Sequence, residues 1–230
     1  MVYCHESRNC KSSKKHGDAM SIPIIILISS MINCAILDSL IFKLLMSTAY
    51  RTGTYIAFHA NGIREPTESD IKYYNLLKAW NIRDNNNFTF VDSHEKTSAI
   101  QSSSNRETIE RHLKRRLLRS KNMILIIGQT TKEDTDWVPM EIRYAVDQCE
   151  IPIIAAYPGY NSIMAPAQLS QLWPQALSVR IRDGKARVIH IPFRKEPLID
   201  AVSRFTHNNY PLGGGLGYYN ESTYRSWGYL

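Results

Sequence analysis

The sequence predicts an α/β protein built on a parallel, doubly wound sheet, and three observations carry that reading. From Thr54 onward, short β-rich runs alternate with amphipathic helical stretches across short loops. One of those runs, Met123–Gly128 (MILIIG), is almost wholly apolar, as a strand covered on both faces must be. The length of 230 residues, with 43% apolar and 21% charged side chains, suits one domain with a full core plus extensions and is thin for two.

Thr54–His59 (TYIAFH) is the first strand, ending at the turn-like Ala60-Asn61-Gly62. A helix is expected from about Glu68 to Asn81, with Ile71, Tyr74 and Leu77 on its buried face and Thr67 as N-cap. Asn87–Asp92 (NFTFVD) is the second strand, preceded by the breaker run Arg83-Asp84-Asn85-Asn86. After a polar loop from Ser93 to Asn105, Ser104 and Glu107 form a capping box, and Ile109, Leu113 and Leu117 make the buried stripe of the next helix. Met123–Gly128 follows as the third strand. Asp136 is expected to cap a helix in which Val138, Ile142, Ala145 and Cys149 fall at i, i+4, i+7 and i+11, with Pro139 tolerated in the first turn. Ile151–Tyr157 is the fourth strand. Beyond it, Val179–Arg182 and Val188–Phe193 compete for the fifth, and Glu196–Thr206 reads as a last helix. The tail 210–230, rich in Gly, Tyr and Asn, reads as irregular, and Gly213-Gly214-Gly215 as flexible chain.

The formal charge of +7 favours anionic partners without selecting one. Arg106, Arg111, Lys114, Arg115, Arg119 and Lys121 lie on one helix and just beyond it without interleaved aromatics. A solvated face is the commoner meaning of that pattern, and no specific nucleic-acid partner is predicted. Four cysteines without a C-x-x-C pair imply no disulfide framework and fit a reducing compartment. Cys4, His5, Cys10 and His16 match no zinc spacing, so no metal site is expected.

Residues 1–50 form an extension. Ala19–Leu37 is about long enough to cross a bilayer, and the basic residues before it would keep the N-terminus cytoplasmic and place the rest outside the cell. The alternatives are an anchor of opposite or interfacial topology, a start at Met46, or a signal peptide, for which no clear cleavage site stands before Tyr50. A cytoplasmic protein, with membrane association through residues 19–37 left open, is the expectation.

In an open α/β sheet, ligands bind beyond the carboxyl ends of the strands, where strand order reverses. That nominates the region after Phe58 and His59, the loop opened by Asp92 and His94, and the segment from Gly128 into the third helix. Neither G-x-G-x-x-G after the first strand nor a P-loop nor G-x-S-x-G occurs, which removes the glycine cradle of dehydrogenases and NTPases. Glu141 stands out: one position off its helix's buried stripe and on the same side as Trp137, its carboxylate should face the sheet rim, partly walled by the indole. The bland alternative is a charge favouring the helix N-terminus through the dipole. Phe58 and His59 can likewise be an ordinary strand end, Asp92 and His94 turn residues, and Trp137 a packing residue.

The segment Asp136-Trp137-Val138-Pro139-Met140-Glu141-Ile142 resembles the D-W-V-x-x-E-I segment of NAD⁺-cleaving TIR domains. TYIAFH resembles the first TIR strand, and FVDSHEKT with the serine-rich loop resembles the second strand and BB loop, nearest to TIR-like proteins of bacterial Thoeris-type antiphage systems. The resemblance covers Arg51 to Tyr160 well and the stretch to Asn209 by topology, giving a domain over residues 51–209. It implies a flavodoxin-like fold with strand order 2-1-3-4-5, and a catalytic Glu141. It also implies a pocket shaped by Phe58, His59, Asp92, His94 and Trp137, with NAD⁺ as substrate and no separate cofactor. The activity implied is NAD⁺ glycohydrolase or ADP-ribosyl cyclase in antiviral defence, depleting NAD⁺ as a toxin or making a nucleotide signal. A homo-oligomer and a separate effector or regulator go with it. The rival from another class is a non-catalytic TIR or response-regulator-like assembly module.

Overall fold

Residues 51–59, 70–83, 90–91 and 106–230 are described by a computed structural model. The chain divides into Met1–Thr48 and Ala49–Leu230, and every described residue lies in the second unit. The hydrophobic stretch 19–37, Thr67, Ser104, Asp92 and His94 therefore lie outside the described residues. Among those described, no helix is long and apolar enough to cross a membrane.

In chain order the elements are β1 (Gly53–Ala57), α1 (Ile71–Arg83), β2 (Phe90–Val91), α2 (Arg106–Leu118), β3 (Ser120–Ile126), α3 (Trp137–Asp147), β4 (Ile153–Tyr157), α4 (Gln175–Arg182), β5 (Val188–Pro192), α5 (Lys195–Arg204), β6 (Gly217–Tyr218) and α6 (Glu221–Ser226). The strands form one sheet in the order β2-β1-β3-β4-β5-β6, with every pair parallel. Helices cover both faces, which is the doubly wound α/β class.

Strand residues alternate between the two faces even where all of them are buried. Tyr55, Ala57, Met123, Leu125, Ile153, Ala155 and Val188 point toward α2, α3 and α4. Ile56, Phe58, Ile124, Ile126, Ile154, Ala156 and Ile189 point toward α1 and α5. The predicted stripes of α2 (Ile109, Leu113, Leu117) and α3 (Val138, Ile142, Ala145, Cys149) are all buried against the first set. Three of the basic residues on and beside α2 are spent locally: Lys114 pairs with Glu110 at 2.5 Å, Arg111 with Glu107 at 3.4 Å, and Arg106 with Asp136.

Three sequence expectations need correction. Val179–Arg182 is helical, the end of α4, and the fifth strand is Val188–Pro192. The apolar run VIHIP supplies the doubly buried strand, whereas Arg180 and Arg182 suit a helix with one face in water. The tail is not irregular, since β6 and α6 lie within it and Tyr224 is fully buried. Gly213-Gly214-Gly215 is not loose chain either. Gly213 turns at φ 88°, and a Cβ on Gly215 would come within 2.9 Å of Ile181.

A buried polar chain fastens that segment to the sheet. The Gly215 carbonyl can only accept, so His190 carries its proton on Nε2 and donates across 2.9 Å. Nδ1 then accepts from the Tyr157 hydroxyl at 2.8 Å, and that oxygen accepts from the Trp173 indole at 2.7 Å. Burial holds the His190 imidazole down at about 4, so it stays neutral. On the opposite face, buried Asn122 donates from Nδ2 to the Val202 and Phe205 carbonyls at 3.0 and 2.7 Å, closing the end of α5.

Candidate active site

Helix α3 lies on the sheet between α2 and α4, so its opening turns are enclosed on several sides. Val138, Pro139, Met140, Glu141 and Ile142 are buried in succession. Glu141 is consequently deeper than a rim position: it is 4% exposed. Its partner is the Tyr55 hydroxyl, which donates to Oε1 at 2.5 Å from the middle of β1. Tyr55 is itself fully buried, on the strand face that meets α3.

Burial pushes the Glu141 carboxyl up to about 8; the Tyr55 hydrogen bond pulls against that, and the negative charge of Asp134 adds to it. Tyr55 is raised well above its ordinary 10, first by burial and then by Glu141, so it keeps its proton and remains the donor. A group with a pKa near 8 is about one-tenth ionised at neutral pH. It can therefore hold or release a proton in the range where an enzyme works.

The approach to α3 differs from the expected cap. The Asp136 side chain makes no capping bond; Asp134 Oδ1 accepts from the Asp136 amide at 2.8 Å, while the Asp136 carboxylate grips Arg106, with Nη1–Oδ2 at 2.8 Å. That guanidinium lies over the Trp137 ring, 5.0 Å from its centre. Trp137 is half-buried against the core of this face. Phe58 does not present a free ring: it is 5% exposed and stacks on Tyr74 at 5.2 Å. His59, directly after it, carries a buried Nδ1 with no hydrogen-bond partner among the described residues.

Sequence reasoning singles out neither Tyr55 nor Asp70, and it nominates Gly128 and Thr131 only as part of the segment that leads into the third helix. Tyr55 was read only as a strand residue, because nothing in strand spacing says that a hydroxyl will meet a carboxyl eighty-odd positions away. Asp70, Gly128 and Thr131 gather at the carboxyl ends of β1 and β3. The only sequence cue was an aspartate opening a helix and a glycine closing a strand.

Two clefts accompany these groups. The smaller, about 310 Å³, lies along α3 and α4 with Asp134, Pro139 and Arg143 in its wall. The larger, about 500 Å³, touches Ile151 and Arg187 and so lies at the amino ends of β4 and β5, the wrong end for an α/β ligand site. Neither is lined by Glu141. No three His, Cys, Asp or Glu side chains gather to hold a metal among the described residues.

Residues 55–163 match the family described as the Thoeris protein ThsB TIR-like domain, a span that runs from β1 past β4 and includes Tyr55, Asp70, Thr131 and Glu141. The chain carries a TIR-like domain of the Thoeris type.

Proposed function

We propose that the protein cleaves the nicotinamide–ribose bond of NAD⁺, as a glycohydrolase or ADP-ribosyl cyclase in bacterial antiviral defence, with Glu141 as the catalytic carboxylate. The observation that carries this is the buried Glu141 carboxyl, held by Tyr55 and poised near 8, within the segment that matches the family. Nicotinamide leaves as a neutral molecule from a cationic ring, so the C1′–N bond breaks with both electrons going to nitrogen and no acid is needed. The ribose is left with oxocarbenium character, which an adjacent anion stabilises. The positive substrate itself favours the ionised form of Glu141, offsetting the burial that keeps the carboxyl neutral in the free protein. Water then adds at C1′ and loses a proton, giving ADP-ribose; capture by a group of the same molecule gives a cyclic isomer.

His59 and Trp137 are the described candidates for lining the substrate, and the reading adds Asp92 and His94, which follow β2 in sequence. Phe58 supports that wall from within the core. The reading also carries a homo-oligomer and a separate effector or regulator. One observation favours the non-catalytic assembly module: at 4% exposure, Glu141 has a structural hydrogen bond to account for its presence. Incubating the full chain with NAD⁺ at high protein concentration, with products separated by chromatography, decides between them. Nicotinamide release that disappears in Glu141→Gln supports the enzyme, and the co-product identifies hydrolase or cyclase. Release that survives the substitution removes Glu141 from the chemistry.

A further inference from the structure

A second polar cluster stands at the carboxyl ends of β1 and β3, toward α1 rather than toward Glu141. Strand order places β2 on one side of β1 and β3 on the other, so this is the switch point, the place where open α/β sheets bind their ligands. Asp70, at the start of α1, is 7% exposed. Its Oδ2 accepts from the Thr131 hydroxyl at 3.0 Å, and that oxygen accepts from the Gly128 amide at 2.7 Å. Thr131 is thus fixed from both sides and presents Asp70 in one orientation. The other carboxylate oxygen, Oδ1, lies across Gly128 so closely that a Cβ there would sit 2.3 Å away. The missing side chain of Gly128 is what lets the carboxylate reach over the end of β3.

His59, at the end of β1, brings a buried Nδ1 without a partner among the described residues to the same end of the sheet, within electrostatic reach of the Asp70 carboxyl. A buried imidazole nitrogen without a partner is costly unless something pairs with it, and the carboxylate beside it accepts donors only. A phosphate is repelled by Asp70. A vicinal diol fits, because it offers two hydroxyl donors and carries no charge.

We propose that Asp70 and His59 form a ribose-diol subsite that binds the adenosine-side ribose of the dinucleotide. The inference rests on the NAD⁺ reading above. Glu141 approaches from the α3 face through Tyr55, whereas Asp70 opens the helix of the α1 face. Two carboxyl groups on opposite faces suit the two ribose ends of one substrate laid over the sheet edge.

The test is calorimetric titration of the full chain with ADP and with 2′,3′-dideoxyadenosine diphosphate, which lacks the diol. ADP should bind about tenfold or more tighter, the worth of one charge-assisted hydrogen bond. Asp70→Asn should weaken ADP by about the same factor, leave the dideoxy compound unchanged, and so close the gap. A merely structural Asp70 would weaken both ligands alike. His59→Gln gives the same comparison should Asp70→Asn lower the melting temperature below the assay. Equal affinity for the two ligands in the wild-type chain, no binding of either at millimolar concentration, or equal weakening by Asp70→Asn would each overturn the subsite. ADP contains no nicotinamide bond, so its binding is read independently of turnover: an inactive chain that still prefers ADP keeps the subsite and loses the enzyme.

Discussion

Replacing Glu141 with glutamine should make the protein more stable, and by an amount that grows with pH. Burial raises this carboxyl from its ordinary 4.5 to about 8, so the folded state holds the proton more tightly than the unfolded chain does. Below about pH 4.5 both states are protonated and the group contributes no pH dependence. As pH rises from 4.5 through 8, the unfolded chain ionises freely while the folded protein does not, and stability falls. At about 1.4 kcal/mol per pH unit, the gap amounts to roughly 3 kcal/mol at pH 7 and on the order of 5 kcal/mol above pH 8. These are upper values, because water penetration and relaxation soften a buried charge. They are still a large part of the 5–15 kcal/mol that holds a typical domain together. Glutamine keeps an oxygen to accept from Tyr55 and is neutral at every pH. Urea unfolding of wild-type and Glu141→Gln protein at pH 5, 7 and 9 should therefore give midpoints that nearly coincide in acid and separate progressively in base. Curves that stay parallel across that range would refute the buried, proton-holding carboxyl.

Five other outcomes follow from the same structure. If Glu141 acts as an anion, kcat/KM for nicotinamide release should rise with pH along a limb near 8 in the free enzyme. Tyr55→Phe, which removes the hydrogen bond that favours the ionised form, should move that limb to higher pH; a limb that does not move would detach Tyr55 from the site. His190 has the opposite sign to Glu141: its folded value of about 4 lies below the ordinary 6.5, so its contribution is present above pH 6.5 and is lost as pH falls through 4. Thermal melts should show a loss of up to roughly 3 kcal/mol over that window, flattened in His190→Gln. Gly128→Ala drives a methyl into the Asp70 carboxylate and should cost about 1–3 kcal/mol by urea unfolding. Asn122→Ala leaves the Val202 and Phe205 carbonyls without their buried donor, and a loss of about 1–3 kcal/mol is expected in the same assay.

The α/β class was legible because periodicity is a backbone property: the stripes on α2 and α3 and the apolar run of β3 report which faces are covered, and each is buried as read. Val179–Arg182 misled because four residues of alternating character satisfy a strand and a helix equally well, and only the packing of Ala176 and Leu177 on the sheet decides it. The Gly213–Gly215 run misled for the reverse reason. Glycine admits close approach as readily as disorder, and the Ile181 contact and the His190 bond are tertiary facts. At the candidate site, Glu141 was visible through its position and its motif. Its depth was not, since the surroundings of α3's first turns are set by α2, α4 and β1 together. Asp70 and Thr131 meet across 61 positions, a pairing that no local pattern carries.

Whether a buried carboxyl at 141 performs the chemistry is read most directly from the nicotinamide released per protein molecule over pH 6–9. The measurement should be made on the full chain and on Glu141→Gln, each verified as folded by its urea midpoint. Release should climb toward pH 8 in the wild-type chain and be absent at every pH in a variant that is more stable than its parent. Equal release from both proteins, or none from either at concentrations that permit self-association, would contradict a catalytic Glu141.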